Sequence, residues 1–303
     1  MDFGKLDNVD RVDFSLPPVP KETLEVLNKT GKSGQAELFI GCPVWGEKDW
    51  VGKIYPSGTK PKEFLHYYAT QFNCIELNST HYNFPNELLA EKWKADVPAD
   101  FKFCPKITQD ISHINRLVNV ESMVETYCTG IRYLENNLGT VFLQLPPDFA
   151  PDIKIVTHFI EKWPKDVPLA IEFRHAGWFD KRISTEMFTA MQANNIGTVI
   201  SDVAARRDAA HMRLTNGTAF IRFQANDLHP SDFSRMDAWS ALLHEWNQQG
   251  LETAYFFLHT KTRYINLDLA IYLIGELNKK GYKLKPPYPW KEPKKPEAQT
   301  RLF

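Results

Sequence analysis

Short apolar runs alternate along this chain with longer stretches in which apolar residues recur every three to four positions. Eight of the short runs, rich in β-branched and aromatic residues, are typical of strands. These are Ala36–Cys42, Cys74–Ser79, Phe101–Lys106, Val141–Leu145, Ala170–Phe173, Thr198–Ser201, Ala219–Phe223 and Thr253–Leu258. The stretches between them predict helices at Pro61–Phe72, Asn86–Ala95, Met123–Asn136, Ile153–Trp163, Ser184–Asn194, Met236–Gln248 and Leu267–Lys279.

A helix follows every predicted strand except the sixth, where only Ala204–Gly217 precedes the next strand. Strict alternation of this kind predicts parallel strands joined by helical crossovers. Eight such units within about 245 residues fit a single-domain α/β protein, a TIM-type (β/α)8 barrel. A doubly wound open sheet is the alternative. The segment Gly41–Gly46, which begins at the end of the first strand, lacks the GxGxxG spacing of a dinucleotide site.

The barrel is predicted to occupy residues 36–282, with an appendage at each end. Residues 1–35 form an N-terminal extension that contains Pro17-Pro18-Val19-Pro20 and a short helical stretch, Glu22–Asn28. Residues 283–303 form a tail rich in Lys and Pro, including Lys294-Lys295-Pro296. Such a composition predicts an extended tail, and we favour a solvated tail over one that touches an anionic partner.

Polar residues share one face of several predicted strands, because side chains alternate faces along a strand. In the fifth strand Glu172 and Arg174 point one way, while Ile171 and Phe173 point the other. We expect the apolar faces to pack on the helices and the polar faces to point into the barrel. The same alternation predicts further inward polar side chains: Glu76, Asn78, Thr80, Lys106, Gln144, Asp202, Arg222 and Gln224.

These residues lie at or near the carboxyl ends of strands, where TIM-type barrels place their active sites. A carboxylate beside a cation can act as a general acid or base, so Glu172 and Glu76 are the catalytic candidates. His113 and His175 are candidate proton carriers. An anion clamp is predicted from Lys106, Arg174 and Arg222. Other candidate substrate-binding residues are Asn78, Thr80, Gln144, Asp202, Trp45 and Trp178, the two tryptophans as a stacking wall.

Each of these assignments has a plainer structural alternative. Three acids (Glu76, Glu172, Asp202) against three bases (Lys106, Arg174, Arg222) could form a charge-balanced network without catalysis. Buried ion pairs stabilise proteins poorly compared with apolar packing, which favours a functional reason for keeping them. A Trp directly after a strand is often a plug at the barrel end. By alternation His175 points away from Glu172, which suggests a helix cap.

Composition and charge limit the kinds of partner that we expect this protein to bind. The formal net charge is -1, which gives no support for broad electrostatic binding of nucleic acid, although it leaves a local basic groove open. No apolar run approaches the ~20 residues of a membrane span, and the first five residues lack a signal-peptide core. The four cysteines lack CxxC spacing and fit reduced core residues. We therefore expect a cytoplasmic protein with no membrane partner. No cofactor is predicted, and a divalent metal is a less favoured alternative because no HxH or HExxH spacing occurs.

Five motifs, in order, resemble the YecE-like family, domain of unknown function 72, over about residues 37–280. The opening Gly41-Cys42-Pro43-Val44-Trp45, with Trp50 and Tyr55-Pro56, is similar to its G-x-x-G-W…W…YP start. The other motifs are Ile75–Tyr82, Phe101–Lys106 with Ile111-Ser112-His113, Gln144-Leu145-Pro146-Pro147, and Glu172–Trp178. The resemblance implies a TIM-type barrel and implies no activity, because the family is named for having none assigned.

The chain also departs from the family's pattern. Arg222-Phe223-Gln224-Ala225 stands where the family has RxHG, so a histidine after the seventh strand is missing. His81 stands where Phe is common, and His259 follows the eighth strand where Asn is expected. Any role that requires the seventh-strand histidine is therefore in doubt.

Several functions remain open from the sequence. We favour an enzyme, a hydrolase or an isomerase, that acts on a small anionic substrate bearing phosphate or carboxylate. The alternatives are a non-catalytic binder of nucleic acid or an anionic metabolite, and a metal-dependent phosphodiesterase or sugar isomerase. A glycosidase that places its carboxylates on the fourth and seventh strands is disfavoured, because Gln144 and Arg222 stand there. The oligomeric state stays open.

Overall fold

Eight parallel strands form the centre of the molecule, seen in a computed structural model that describes residues 3–262 and 265–291. The strands are β1 (Glu37–Cys42), β2 (Cys74–Leu77), β3 (Lys102–Pro105), β4 (Val141–Gln144), β5 (Leu169–Glu172), β6 (Gly197–Asp202), β7 (Thr218–Gln224) and β8 (Thr253–His259). They lie in the order β3-β2-β1-β8-β7-β6-β5-β4, which leaves β3 and β4 at the two ends of the sheet.

The two ends of the sheet meet and nearly close the barrel. The Ile107 N–H donates to the carbonyl oxygen of Phe142 at 2.9 Å, and the Gly139 N–H donates to that of Phe103 at 2.7 Å. These two bonds span the seam between β3 and β4. The predicted single-domain barrel is confirmed.

Helices cover the outside of the barrel. They are α1 (Lys21–Lys29), α2 (Phe64–Ala69), α3 (Glu87–Ala95), α4 (Glu121–Arg132), α5 (Ile153–Lys162), α6 (Lys181–Ala193), α7 (Pro230–Gln248) and α8 (Asn266–Lys279). Asn86, Asp152 and Asp180 begin three of them, and their side chains accept backbone N–H groups of the first turn. As predicted, β6 has no helix after it, and only a short 3₁₀ turn, Arg207–Ala209, precedes β7.

Two apolar clusters make the core. The larger lies between the strands and the helices. The smaller lies inside the barrel, and we call it the floor: it consists of Phe39, Cys74, Cys104, Phe142, Ala170, Val199, Phe220, Tyr255 and Phe257. Its aromatic rings pack closely, with centroids 5.1 Å apart for Phe220 and Phe257. All four cysteines are buried and free, as predicted.

The N-terminal extension packs along the outside of the β6–β7 connection, which lacks a helix. The hydroxyl of Thr23 in α1 donates to the carbonyl oxygen of Met212 at 3.0 Å and accepts from the Leu214 N–H at 3.0 Å. Farther towards the N-terminus, the Ala205 N–H donates to the carbonyl oxygen of Gly4 at 3.0 Å. The extension is therefore folded against the barrel.

The C-terminal tail follows α8 without helix or strand as far as Lys291. The Tyr288 N–H donates to the side chain of Gln71 at 2.9 Å, so this part of the tail lies against the barrel. The predicted solvated stretch Lys294-Lys295-Pro296 lies outside the described residues. In the part of the chain that the structure describes, no helix is long and apolar enough to cross a membrane.

Candidate functional site

Along the strands, the inward side chains change from apolar to polar at the first inward position beyond the floor. Two residues after Phe142, Ala170, Phe220 and Phe257, the same strands carry Gln144, Glu172, Arg222 and His259. Glu172, Arg222 and His259, with other residues of the strand ends and loops, line a cavity of about 380 Å³ at the carboxyl ends of the strands. We call the inward polar set the mouth layer: Glu76, Lys106, Gln144, Glu172, Arg174, Ser201, Arg222 and His259.

Arg222 lies at the centre of the mouth layer, between two carboxylates. Its Nε and Nη2 donate to the two oxygens of Glu76, both at 2.9 Å. Its Nη1 donates to the oxygens of Glu172 at 2.9 and 2.8 Å. All three side chains are buried. Arg222 therefore ties β2, β5 and β7 together by charge-assisted hydrogen bonds.

Glu172 has three further side-chain partners around the barrel. The Gln144 amide donates to it at 2.5 Å, and the Ser201 hydroxyl donates at 2.8 Å. Arg174 Nε lies 3.4 Å from its Oε1. Burial alone would raise the pKa of Glu172, but the guanidiniums of Arg174 and Arg222 outweigh burial and lower this pKa to about 2. Glu172 is therefore ionised at neutral pH.

Glu76 has a similar environment on the opposite side of Arg222. The Asn78 amide donates to its Oε1 at 3.0 Å, and His259 Nε2 lies 3.0 Å from its Oε2. Burial would raise the pKa of Glu76, but the charge of Arg222 and the hydrogen bonds from Arg222 and His259 hold it well below its usual range. Burial in turn lowers the pKa of His259 despite the neighbouring carboxylate. At neutral pH the pair is thus a carboxylate beside a neutral imidazole.

Lys106 is the cation of the mouth layer with the fewest direct partners. Its Nζ donates to Gln144 Oε1 at 2.8 Å, and among the described residues this is its one hydrogen bond. Burial, reinforced by the positive charge of Arg222, lowers the pKa of Lys106 from 10.5 to about 8. The amide of Gln144 joins this ammonium to Glu172 by hydrogen bonds. The protonation state of Lys106 therefore affects the electrostatic environment of the carboxylate.

Asp202 corrects the predicted face of the sixth strand. Its carboxylate accepts from the indole N–H of Trp239 in α7 at 2.8 Å and pairs with Arg207 and Arg235. It therefore lies under α7, outside the barrel, and is not a mouth residue. The neighbouring Ser201 points inward instead, because β6 pairs with β7 in the register Ser201–Arg222.

Trp178 and Trp45 do not form the predicted stacking wall. Trp178 is 1% exposed, packs 4.7 Å from Phe173 by ring centroids, and donates its indole N–H to the carbonyl oxygen of Phe149. It is a plug beneath the loops. Trp45 packs edge-on against Trp93 and is not among the residues that line the cavity.

The predicted histidines and Thr80 make local contacts. His175 accepts the Gly177 N–H and so caps a 3₁₀ turn, as its alternation suggested. His113 Nδ1 lies 2.8 Å from the Ser112 hydroxyl, and burial with the charge of Lys106 lowers the pKa of His113 to about 4. The Thr80 hydroxyl lies 2.9 and 2.8 Å from the carbonyl oxygens of Leu77 and Lys106 and joins β2 to β3.

The structure thus brings together most of the predicted side chains: Glu76, Asn78, Lys106, Gln144, Glu172, Arg174, Arg222 and Gln224 all lie in or beside the cavity. Sequence reasoning did not assign Ser201, His259, Phe3 or Lys5 to the site. His259 could have been found from its place at the end of β8. Phe3 and Lys5 carry no sequence signal, because they lie far from the barrel strands along the chain.

Residues 3–262 and 265–291 contain no cluster of three or more His, Cys, Asp or Glu side chains placed to hold a metal ion. The mouth carries two carboxylates and one imidazole, and Arg222 occupies the space between the carboxylates. Chemically, this arrangement can hold an anion next to an amine with a pKa near neutrality.

Comparison with known proteins gives one family throughout. The family described as protein of unknown function DUF72 matches residues 39–294. The UPF0759 protein YecE of Escherichia coli K12 is 30% identical over 243 residues, which cover 74% of this chain and 86% of that protein. The UPF0759 protein YunF of Bacillus subtilis is 30% identical over 166 residues, 52% of this chain and 57% of that protein.

Solved structures show the same fold. A DUF72 family protein from Enterococcus faecalis superposes with a TM-score of 0.65 at 19% identity, covering 84% of this chain and 99% of its own. A DUF72 family protein from Thermotoga maritima gives a TM-score of 0.59 at 22% identity, covering 80% and 98%. At these identities the likeness concerns the fold alone.

Proposed function

This chain belongs to the DUF72 family, and we propose that its barrel mouth binds a small phosphate- or carboxylate-bearing substrate and transforms it by general acid/base chemistry. One observation carries the proposal: the mouth layer holds three cations, Lys106, Arg174 and Arg222, against the two carboxylates Glu76 and Glu172. With Asp202 outside the barrel, the balance counted from the sequence becomes an excess of positive charge. An anionic ligand would neutralise that excess.

A purely structural role explains this excess poorly. Buried ion pairs are often no more stabilising than well-packed apolar residues, and an uncompensated buried charge is destabilising. Arg222 is engaged by both carboxylates, so it orients them and keeps them ionised. Lys106 and Arg174, the latter paired with Glu172, also line the cavity, where their positive charges would face a bound anion.

Lys106 is the side chain best suited to transfer a proton. A general acid or base works best when its pKa lies near the working pH, and the pKa of Lys106 is lowered to about 8. The pKa of Glu172, about 2, leaves it a weak base. We therefore propose Lys106 as the acid/base group. The carboxylates, assigned that role from the sequence, would instead hold the cations in place.

Binding can be tested directly by calorimetric titration of the purified protein with inorganic phosphate and with acetate at pH 7. We expect Lys106→Met to weaken phosphate binding at least about tenfold, because it removes a charge-assisted contact worth about 1.5–3 kcal/mol. Lys102→Met is the matched control, since Lys102 lies four residues earlier, at the start of β3, and donates to the Asn136 carbonyl oxygen. Equal affinity in wild type and Lys106→Met would contradict the proposal.

Catalysis is tested on a panel of phosphate esters and small carboxylic acids. We expect turnover with a rate that changes around pH 8 in the wild type and loses this dependence in Lys106→Met. Binding of phosphate that depends on Lys106, with no turnover across the panel, would favour the non-catalytic binder over the enzyme.

A further inference from the structure

The first described residues of the chain reach the mouth of the barrel. Phe3 and Lys5 both line the cavity with Lys106 and Arg174. They lie outside the region that the family match covers, residues 39–294. One wall of the site is thus built by a segment that precedes the barrel.

Gly4 fixes this segment to the loop after β6. Its carbonyl oxygen accepts the Ala205 N–H at 3.0 Å, and its φ of +76° lies in the left-handed region that favours glycine. A Cβ at this position would lie 2.3 Å from Val203 Cγ2, which no real contact allows. The close approach therefore depends on glycine, and it determines where Phe3 and Lys5 lie.

Phe3 lies against two guanidiniums. The Cζ of Arg174 is 4.7 Å from the ring centroid, and that of Arg206 is 5.3 Å from it. Arg206 also donates to the carbonyl oxygen of Arg174 at 2.6 Å and pairs with Asp208. A guanidinium at this distance from an aromatic face is attracted to it. Phe3 thus restricts the positions open to Arg174.

The rest of the extension is anchored in the same way along the β6–β7 side. The Phe14 ring lies 4.5 Å from the Cζ of Arg235, and the Phe14 carbonyl oxygen accepts from Arg207 at 3.3 Å. Asp10 lies 3.3 Å from His229 Nε2. These contacts hold the segment on the C-terminal side of Val9, which is itself buried.

We propose that the N-terminal segment completes the anion site, with Lys5 as a further anion-binding residue and Phe3 as a positioning residue for Arg174. This inference rests on the proposed function, since it takes the mouth to be an anion site. Adding Lys5 raises the positive charge around the cavity. Because Coulomb energy scales with the charge of the ligand, Lys5 should favour a doubly charged phosphate over a singly charged carboxylate.

The test uses the full chain and titrates inorganic phosphate and acetate at pH 7.5. Lys5→Gln should weaken phosphate binding by about two- to fivefold, the effect of one exposed charge, and acetate binding by less. Lys32→Gln, an exposed lysine of the same extension, is the charge-matched control and should change neither.

Phe3 is tested by a pair of substitutions. Phe3→Leu should weaken phosphate binding by about two- to tenfold, because it removes the aromatic face beside Arg174. Phe3→Tyr keeps that face and should restore wild-type affinity, which a loss of apolar packing alone would not require. Gly4→Ala, which displaces both neighbours, should combine the losses of Lys5→Gln and Phe3→Leu.

The outcomes separate this inference from the proposed function. If wild type binds phosphate and Lys106→Met abolishes binding, but Phe3→Leu, Lys5→Gln and Gly4→Ala bind as wild type does, the N-terminal segment is no part of the site. Equal losses in Phe3→Tyr and Phe3→Leu would overturn the role given to the aromatic face. If wild type binds neither anion at the mouth, the proposed function fails, and this inference fails with it.

Discussion

The floor and the mouth layer are adjacent layers of side chains inside one barrel. The same strands build both, and the mouth layer takes the next inward position after the floor. On β7, Phe220 belongs to the floor and Arg222 to the mouth; on β5 the same step leads from Ala170 to Glu172. In the floor the side chains are apolar, and in the mouth they are charged and hydrogen-bonded. Both layers are buried, except that His259 of the mouth layer is partly exposed.

The two layers contribute to stability in opposite ways. Burial of the aromatic floor stabilises the fold by roughly 25 cal/mol per Å² of apolar surface, with no requirement for partners. In the mouth, each charge is acceptable only while its partners are present, because an unpaired buried charge is strongly destabilising. The floor thus tolerates change in any one residue better than the mouth tolerates the loss of Arg222, which pairs with two carboxylates. If stability were the only requirement, apolar side chains could occupy the positions of the mouth layer as they occupy those of the floor.

The largest expected effect tests this difference on one strand. Arg222→Met leaves Glu76 and Glu172 buried without the cation between them, and we expect a loss of about 3–5 kcal/mol in the free energy of unfolding. Phe220→Leu, two residues earlier on the same face, keeps an apolar side chain and should lose about 1–2 kcal/mol. Urea-induced unfolding at pH 7 measures both. A smaller loss for Arg222→Met than for Phe220→Leu would show that the mouth layer is not a coupled network.

The second effect is a pH dependence that comes from Lys106. Its pKa is about 8 in the folded protein and 10.5 by default, so between these values the unfolded chain binds more protons than the folded one. Stability contributed by this group therefore rises as the pH increases from 8 to 10.5, by roughly 3 kcal/mol in total. Below pH 8 the wild type carries the full penalty of a buried ammonium.

Lys106→Met separates this contribution from those of other groups that titrate in the same range. The variant lacks the ammonium, so its free energy of unfolding should exceed that of wild type at pH 7, and the difference should shrink towards pH 10.5. Buried tyrosines such as Tyr68, with raised pKa values, affect both proteins alike. If the free energies of unfolding of the two proteins differed by a constant amount from pH 7 to 10.5, the pKa of Lys106 would not be lowered.

The fold could be predicted from the sequence because its signals are local. Each strand is a short apolar run and each helix has its own period, so alternation alone gave eight βα units. The bare β6–β7 connection was also visible, as Ala204–Gly217 without a helical pattern. The packing of the N-terminal extension into that connection was not predicted, because contacts such as Thr23 with Met212 join residues far apart in sequence.

Alternation along a strand could predict the site residues only where polar residues lie on a single face of that strand. Glu172 and Arg174 share a face with no polar competitor, and they lie where expected. In β6 both faces end in a polar residue, Ser201 or Asp202, and local alternation cannot choose between them. The register against β7 decides the face, and that register is a tertiary property.

The smallest expected effects test whether Ser201 or Asp202 of β6 points into the barrel. Asp202→Asn should lose about 1–3 kcal/mol of stability, because Arg207, Arg235 and Trp239 then share a neutral acceptor. Its phosphate affinity should change by less than about threefold, since the residue lies outside the barrel beside two compensating arginines. Ser201→Ala should lose about 1 kcal/mol, the usual value of one hydrogen bond, here to Glu172. If Asp202→Asn instead strengthened phosphate binding tenfold, Asp202 would belong to the mouth after all, and the excess of positive charge there would disappear.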